Sequence, residues 1–274
     1  MEGTQSNKGQ MRKLTVLSVC FVASLIGAAL IPSTTITGMS MPAAEPVQGP
    51  TIKYEYTASL PDRLMRIRKV QERKQCLIEI LLPMALQANE SILKQRQVVE
   101  DYSRMLPRLT PDEREHLLAI ASMYNVTADS TKEIVQELLK RVDVLPVSLV
   151  LAQAAIESGW GTSRFSIEGN NIFGIRTPSG YGMIPVRRAA NETFAVSEFD
   201  DLQSCIDYYL WNINTNPQYE ELRHIRSLTE GPYDALALAR GLRNYSEQGP
   251  EYVRKVEKLI SCNSLKDYDE YRLQ

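Results

Sequence analysis

Val147-Ser148-Leu149-Val150-Leu151-Ala152-Gln153-Ala154-Ala155-Ile156-Glu157-Ser158-Gly159-Trp160-Gly161 is the stretch on which the fold turns. It is apolar almost all round, which predicts a central, buried helix rather than a surface one. Pro146 fits the first helical position and Gly159 the position just past the end. Glu157 therefore falls in the last turn of a buried helix. The negative end of the helix dipole and the apolar neighbours both disfavour its ionised form and raise its pKa. A carboxyl group that keeps its proton near neutral pH is what a general acid requires. Gln153, one turn earlier on the same face, is placed to hydrogen-bond Glu157. Trp160 offers an apolar plane that stacks on a sugar face or fills a core.

Outward from this helix, Asn170-Asn171-Ile172-Phe173-Gly174-Ile175 reads as a turn and polar wall ahead of a short apolar strand. A small β region follows, with Tyr181–Val186 and Glu192–Phe199 as strands. Leu202, Cys205, Ile206, Tyr209, Leu210 and Ile213 then form an amphipathic helical set, capped by Asp200 or Asp201. Another helix near Asp234–Arg240 stops at Gly241. Asn244-Tyr245-Ser246 is a loop, and a last helix carries Tyr252, Val253, Val256, Leu259 and Ile260 on one face. Upstream, helices start at Leu60-Pro61-Asp62-Arg63, at Thr110-Pro111-Asp112-Glu113 and at Ser130. Cys76–Met84 is an apolar helix in which Pro83 predicts a kink or break, and a charged helix follows from Ile92 to Met105. A carboxylate at the end of a buried helix, a small β lobe, then more helices predict a mainly α (α+β) chain with a lysozyme-like layout.

Composition narrows the chemistry. Acids number 33 and bases 31, for a net charge of -2, so no basic excess exists to neutralise nucleic-acid phosphates. The two histidines, His116 and His224, are isolated and read as surface residues. There is no His-Glu-x-x-His, Cys-x-x-Cys, P-loop or Gly-x-Gly-x-x-Gly run, so neither a metal nor a cofactor is expected. Carboxylates are the tools left. At the N-terminus, Leu14–Ile31 is uncharged and apolar. As a helix it would be about 27 Å long, enough to span a bilayer, and Lys8, Arg12 and Lys13 precede it. This reads as a signal peptide or an uncleaved anchor in the inner membrane, with anchor favoured because no Ala-x-Ala site closes the run. Pro32–Pro50 is a flexible tether. The expected organisation is 1–31 signal or anchor, 32–58 linker, 59–140 helical scaffold and 141–265 catalytic region, with the folded part outside the cytoplasm, on the periplasmic side. Cys20 is a small hydrophobe within the apolar run. Of Cys76, Cys205 and Cys262, a Cys205–Cys262 pair and buried free thiols are both open.

Ala155-Ile156-Glu157-Ser158-Gly159-Trp160-Gly161-Thr162-Ser163, with Asn170 to Ile175, resembles the signature of the peptidoglycan-cleaving N-acetylglucosaminidases. These include flagellar muramidase-like hydrolases and cell-separation autolysins. The resemblance begins near Arg73 and covers about 200 residues, roughly one and a half domain lengths. It implies a lysozyme-like fold and endo-type cleavage of the β-1,4 bond after N-acetylglucosamine in peptidoglycan glycan strands. It further implies that Glu157 is the general acid and Tyr245 an active-site tyrosine, with Asn170, Asn171 and Phe173 shaping the cleft. Many family members carry a second carboxylate about 35 residues after the first; Glu192 has that spacing, and Glu198 is the fallback. Closer relatives do without it, which leaves assistance by the substrate's acetamido group open.

Two other functions are compatible with these residues: an envelope scaffold that keeps the fold without turnover, and a lytic transglycosylase, which also uses a glutamate followed by serine. Plainer roles compete at each site. Trp160 and Tyr245 serve equally as packing residues, and Glu192 as a solvated turn acid.

Overall fold

The computed structural model describes residues 49–177, 181–186, 193–229 and 231–274. The apolar run Leu14–Ile31 lies outside the described residues. Residues 48–274 form one compact unit, mainly helical.

After the short strand β1 (Thr51–Ile52), α1 (Asp62–Arg66) leads into α2 (Val70–Met105). α2 runs unbroken through Pro83, where a kink or break was expected. Proline removes one N–H, so the Glu79 carbonyl loses its helical donor. The helix survives because Leu81, Leu82, Met84, Ala85 and Leu86 are all buried around that point. Burial of about 1.5–3 kcal/mol per large apolar side chain outweighs one missing bond. Among the described residues, Val70–Arg108 is long and apolar enough to cross a bilayer, yet 61% of its apolar window is buried inside the unit. It serves as the spine of the core.

α3 (Pro111–Met123) and α4 (Thr131–Arg141) each start at a complete capping box. Thr110 pairs with Glu113 in one and Ser130 with Glu133 in the other. In each box the two backbone N–H groups donate to the partner's side-chain oxygen, at the helix starts expected from those sequences. α5 (Val147–Ser158) is the predicted central helix: Val147 through Ala155 are buried without exception. Pro146 sits one position earlier than expected, at the N-cap, and supplies no side-chain cap. The missing cap comes from the far end of the chain. Asp269 accepts hydrogen bonds from Ser148 N (2.8 Å) and Ser148 Oγ (2.7 Å). Gly159 closes α5 in the left-handed region, φ 57°, where glycine carries no Cβ penalty.

α6 (Arg164–Glu168) leads to the β lobe, which is smaller than expected. Ile172–Ile175 is a turn, not a strand. β2 (Arg176–Thr177) pairs antiparallel with β3 (Ala195–Val196), and Met183 bridges Val196 from the other side. α7 (Leu202–Thr215) is capped by Asp201 and buries the predicted stripe. α8 (Glu220–Ser227), α9 (Ala235–Ala239) and α10 (Pro250–Cys262) complete the helical layer. Gly241 does not end α9 as a left-handed cap. It lies in the following 3-10 turn, where a Cβ would stand 2.4 Å from Leu222 Cα, so it is the bare spot on which α8 packs. Finally β4 (Arg272–Leu273) pairs in parallel with β1. The helical region before residue 141 shares one continuous apolar core with the rest of the unit.

Among the described residues, Cys76, Cys205 and Cys262 are free thiols. A Cys205–Cys262 bridge does not form: Cys205 is buried on α7, where burial pushes its thiol up to about 12, while Cys262 is exposed at the end of α10.

Candidate active site

Glu157 stands half-buried in the last turn of α5. Burial raises its pKa above the ordinary carboxylate value; a hydrogen bond from Tyr252 and the positive charge of Arg176 oppose that rise in part. The sequence expectation of a raised carboxyl is thus met through desolvation.

The partner of Glu157 differs from the one expected. Gln153 does not reach it directly. Tyr252, from α10, donates its hydroxyl to Glu157 Oε1 at 2.8 Å. Gln153 Nε2 donates to the Tyr252 hydroxyl at 3.0 Å, and Tyr209 donates to Gln153 Oε1. Every donor in this chain points towards Glu157. With Oε1 engaged as an acceptor, a carboxyl proton belongs on Oε2. That oxygen faces Gly174: a Cβ there would come within 3.7 Å of it. Gly174 has φ 64°, so a glycine both permits the turn and leaves the acid oxygen open.

Aromatic rings hold the network. Phe173 stacks on Tyr209 with centroids 3.8 Å apart, and Tyr245 stacks on Tyr252 at 5.1 Å. Tyr245 donates its hydroxyl to the Phe173 carbonyl at 3.1 Å, tying the last loop to the turn above Glu157. The hydroxyls of Tyr209, Tyr219, Tyr245 and Tyr252 are all held above their ordinary pKa, first by burial and also by the charge of Glu157. Tyr209, Tyr245 and Tyr252 act as neutral donors.

The asparagines expected to form a polar wall are turned inward. Asn171 Nδ2 donates to the Ile175 and Ser197 carbonyls (2.9 and 2.8 Å), and its Oδ1 accepts from Ile175 N at 2.9 Å. Asn170 Nδ2 donates to the Phe199 and Asp200 carbonyls. Asn170 has φ 51°, a conformation asparagine tolerates. Both clamp the turn to β3. Phe173, only 2% exposed, and Gln153, fully buried, are supports rather than contact surfaces. Trp160 is half-buried, with Lys74 Nζ of α2 lying 4.8 Å from its ring centroid. Glu192 lies outside the described residues. Glu198 is exposed and packs its stem near Gly169.

This arrangement can be set against known proteins. The mannosyl-glycoprotein endo-beta-N-acetylglucosaminidase family matches residues 132–265, which contain the whole Glu157 network. Protein bax of Escherichia coli (strain K12) is 30% identical over 203 residues, 72% of this chain and 71% of that protein. The chain belongs to the Bax-like glucosaminidase family. Exo-glucosaminidase LytG of Bacillus subtilis (strain 168) is 28% identical over 160 residues, 53% of this chain and 53% of that protein. The catalytic domain of the autolysin Auto from Listeria monocytogenes aligns over 62% of this chain and 96% of that domain, at 16% identity and a TM-score of 0.37. At the level of the family, the activity is that of a glycoside hydrolase directed at peptidoglycan, in the cell envelope.

Within this glucosaminidase family member, Tyr252 is the residue that sequence reading passed over. It sits in a regular apolar stripe of α10 and looked like core. The signal that pointed to it was Gln153, a buried amide one turn before an acid, which needs partners of its own.

Proposed function

We propose that this chain hydrolyses the β-1,4 bond after N-acetylglucosamine within peptidoglycan glycan strands, with Glu157 as general acid. The observation that carries the reading is the state of Glu157: a half-buried carboxyl with one oxygen bound by Tyr252 and the other open at Gly174. Before reaction, burial favours the protonated form. As the proton passes to the leaving oxygen, the carboxylate that forms is stabilised by the Tyr252 hydroxyl, which donates to it directly and favours its ionised form. Tyr245, Gln153 and Tyr209 position Tyr252 and the turn and do not themselves touch the acid.

Among the described residues no second carboxylate joins this network. The attacking group is then either a water held by Glu192 or the substrate's own acetamido oxygen. Glu192→Gln separates the two: a loss of a hundredfold or more supports the two-carboxylate scheme, and near-wild-type turnover supports substrate assistance.

Mass spectrometry of sugars released from purified peptidoglycan tests the main reading. Reducing N-acetylglucosamine ends are expected, absent with Glu157→Gln; anhydro-muramyl ends would overturn it in favour of a transglycosylase. Mixed-length fragments at early times support internal cleavage, whereas release from strand ends alone would assign an exo mode. Equal inertness of wild type and Glu157→Gln would leave a scaffold. The apolar run Leu14–Ile31 is proposed as the inner-membrane anchor, with the folded unit on the periplasmic side. Retention in the membrane pellet after alkaline extraction is expected.

A further inference from the structure

The geometry points to a carboxylate-binding subsite at Arg176, beside Glu157, that takes an anionic group of the glycan strand next to the scissile bond. The inference rests on the hydrolase reading above and adds to it the part of the substrate that is gripped.

Placement comes first. The turn that lays Gly174 against Glu157 Oε2 enters β2 two residues later at Arg176, whose side chain is exposed. Its positive charge is felt at the Glu157 carboxyl. Orientation comes second. The guanidinium carbon lies 4.2 Å from the centroid of the Phe194 ring. The ring lies against the guanidinium, whose fork of N–H donors suits a carboxylate through two parallel hydrogen bonds. Third, that fork is unused: among the described residues no hydrogen bond or ion pair engages it. Arg96, Arg141, Arg223 and Arg226, by contrast, all donate to backbone carbonyls. Arg176 differs from these four in having a ring against its guanidinium and no protein acceptor among the described residues.

An unneutralised cation here also works against the acid, because it favours loss of the proton that Glu157 must hold. An anionic substrate group bound to Arg176 cancels that charge and leaves burial opposed by the Tyr252 hydrogen bond alone of the two. Glycan strands supply carboxylates of two origins: the lactyl group of N-acetylmuramic acid in denuded strands, and the peptide stems in intact ones.

Binding is measured with the full chain carrying Glu157→Gln, so that strands are held without turnover. Three ligands are compared: denuded strands, the same strands with lactyl carboxylates amidated, and strands with intact stems. Arg176→Met, which keeps an apolar stem against Phe194, is expected to weaken binding of an anionic strand at least tenfold more than binding of the amidated one. Arg176→Lys, which keeps the charge without the fork, is expected to recover part of the loss. A selective loss on denuded strands assigns the lactyl carboxylate; a loss confined to stem-bearing strands assigns the peptide. Equal losses on all three ligands, no loss on either anionic strand, or failure of all three to bind with Arg176 intact would overturn the subsite. Since turnover is absent by construction, an enzymatically inert wild type bears on the hydrolase reading alone. In the active chain, Arg176→Met is further expected to shift the basic limb of the pH profile upward less with anionic strands than with amidated ones.

Discussion

The two ends of α5 carry two buried polar networks built on opposite principles. Before the helix, Asp143 is 5% exposed and fully engaged: Arg96 lies 3.1 Å away, Tyr233 donates at 2.6 Å, and Arg226 lies at 3.9 Å. Arg226 is itself 1% exposed and donates to the carbonyls of Lys140, Arg141, Asp143 and Val144 and to Asn214 Oδ1. Burial lowers its pKa to about 10, still far above neutrality. After the helix, among the described residues, Glu157 has one hydrogen-bond donor, no cation in contact and one open oxygen. Dense engagement, with only Arg226 Nε lacking a hydrogen-bond acceptor among the network's buried side-chain atoms, makes the first end a structural clamp on α2, α7 and α8. Under-satisfaction makes the second end reactive, because a buried carboxyl without a counter-ion holds its proton.

The comparison breaks most visibly at Glu157. Glu157→Gln is expected to lose about 10²- to 10⁴-fold in kcat on peptidoglycan with the fold intact. It should also raise thermal stability. The folded-state pKa lies above the unfolded value, so ionisation penalises the fold as pH rises through that window, and the penalty is absent below the ordinary carboxylate range. The gain in Tm should therefore be present at pH 7 and vanish near pH 3; a loss at pH 7 would refute it.

At the other end, Arg226→Ala leaves a buried carboxylate and several carbonyls without their donor. Denaturant unfolding should show a loss of about 3–5 kcal/mol. A loss under about 1 kcal/mol would show that the clamp is dispensable. Tyr252→Phe sharpens the contrast. It removes the hydrogen bond that favours ionised Glu157, so kcat should fall about tenfold while the basic limb of the pH–rate profile moves up. An unmoved limb would reduce Tyr252 to packing. The smallest effect belongs to the tertiary cap: Asp269→Ala should cost about 1 kcal/mol of stability, with kcat/KM changed less than threefold.

Much of this was legible before any coordinates. Thr110, Ser130, Gly159 and Asp201 act through the next three or four residues, so their effect is written in adjacent letters. The unbroken course of α2 through Pro83 and the size of the β lobe were not. Pro83 carries a local signal that burial on all sides overrides, and Ile172–Ile175 looks like a strand because it is apolar, although its clamp to residues 197–200 makes it a turn. The second carboxylate expected at Glu192 lies outside the described residues.

By itself, then, the sequence determined a helical chain with an acid at the buried end of its central helix, since periodicity, caps and dipole position are short-range properties. Only the tertiary structure decided what surrounds that acid. Tyr252 reaches Glu157 across 95 positions and Asp269 reaches Ser148 across 121. No local rule brings such residues together; the packing of α10 and the C-terminal turn against α5 does, because burying their apolar faces leaves a tyrosine hydroxyl and a carboxylate beside its two ends.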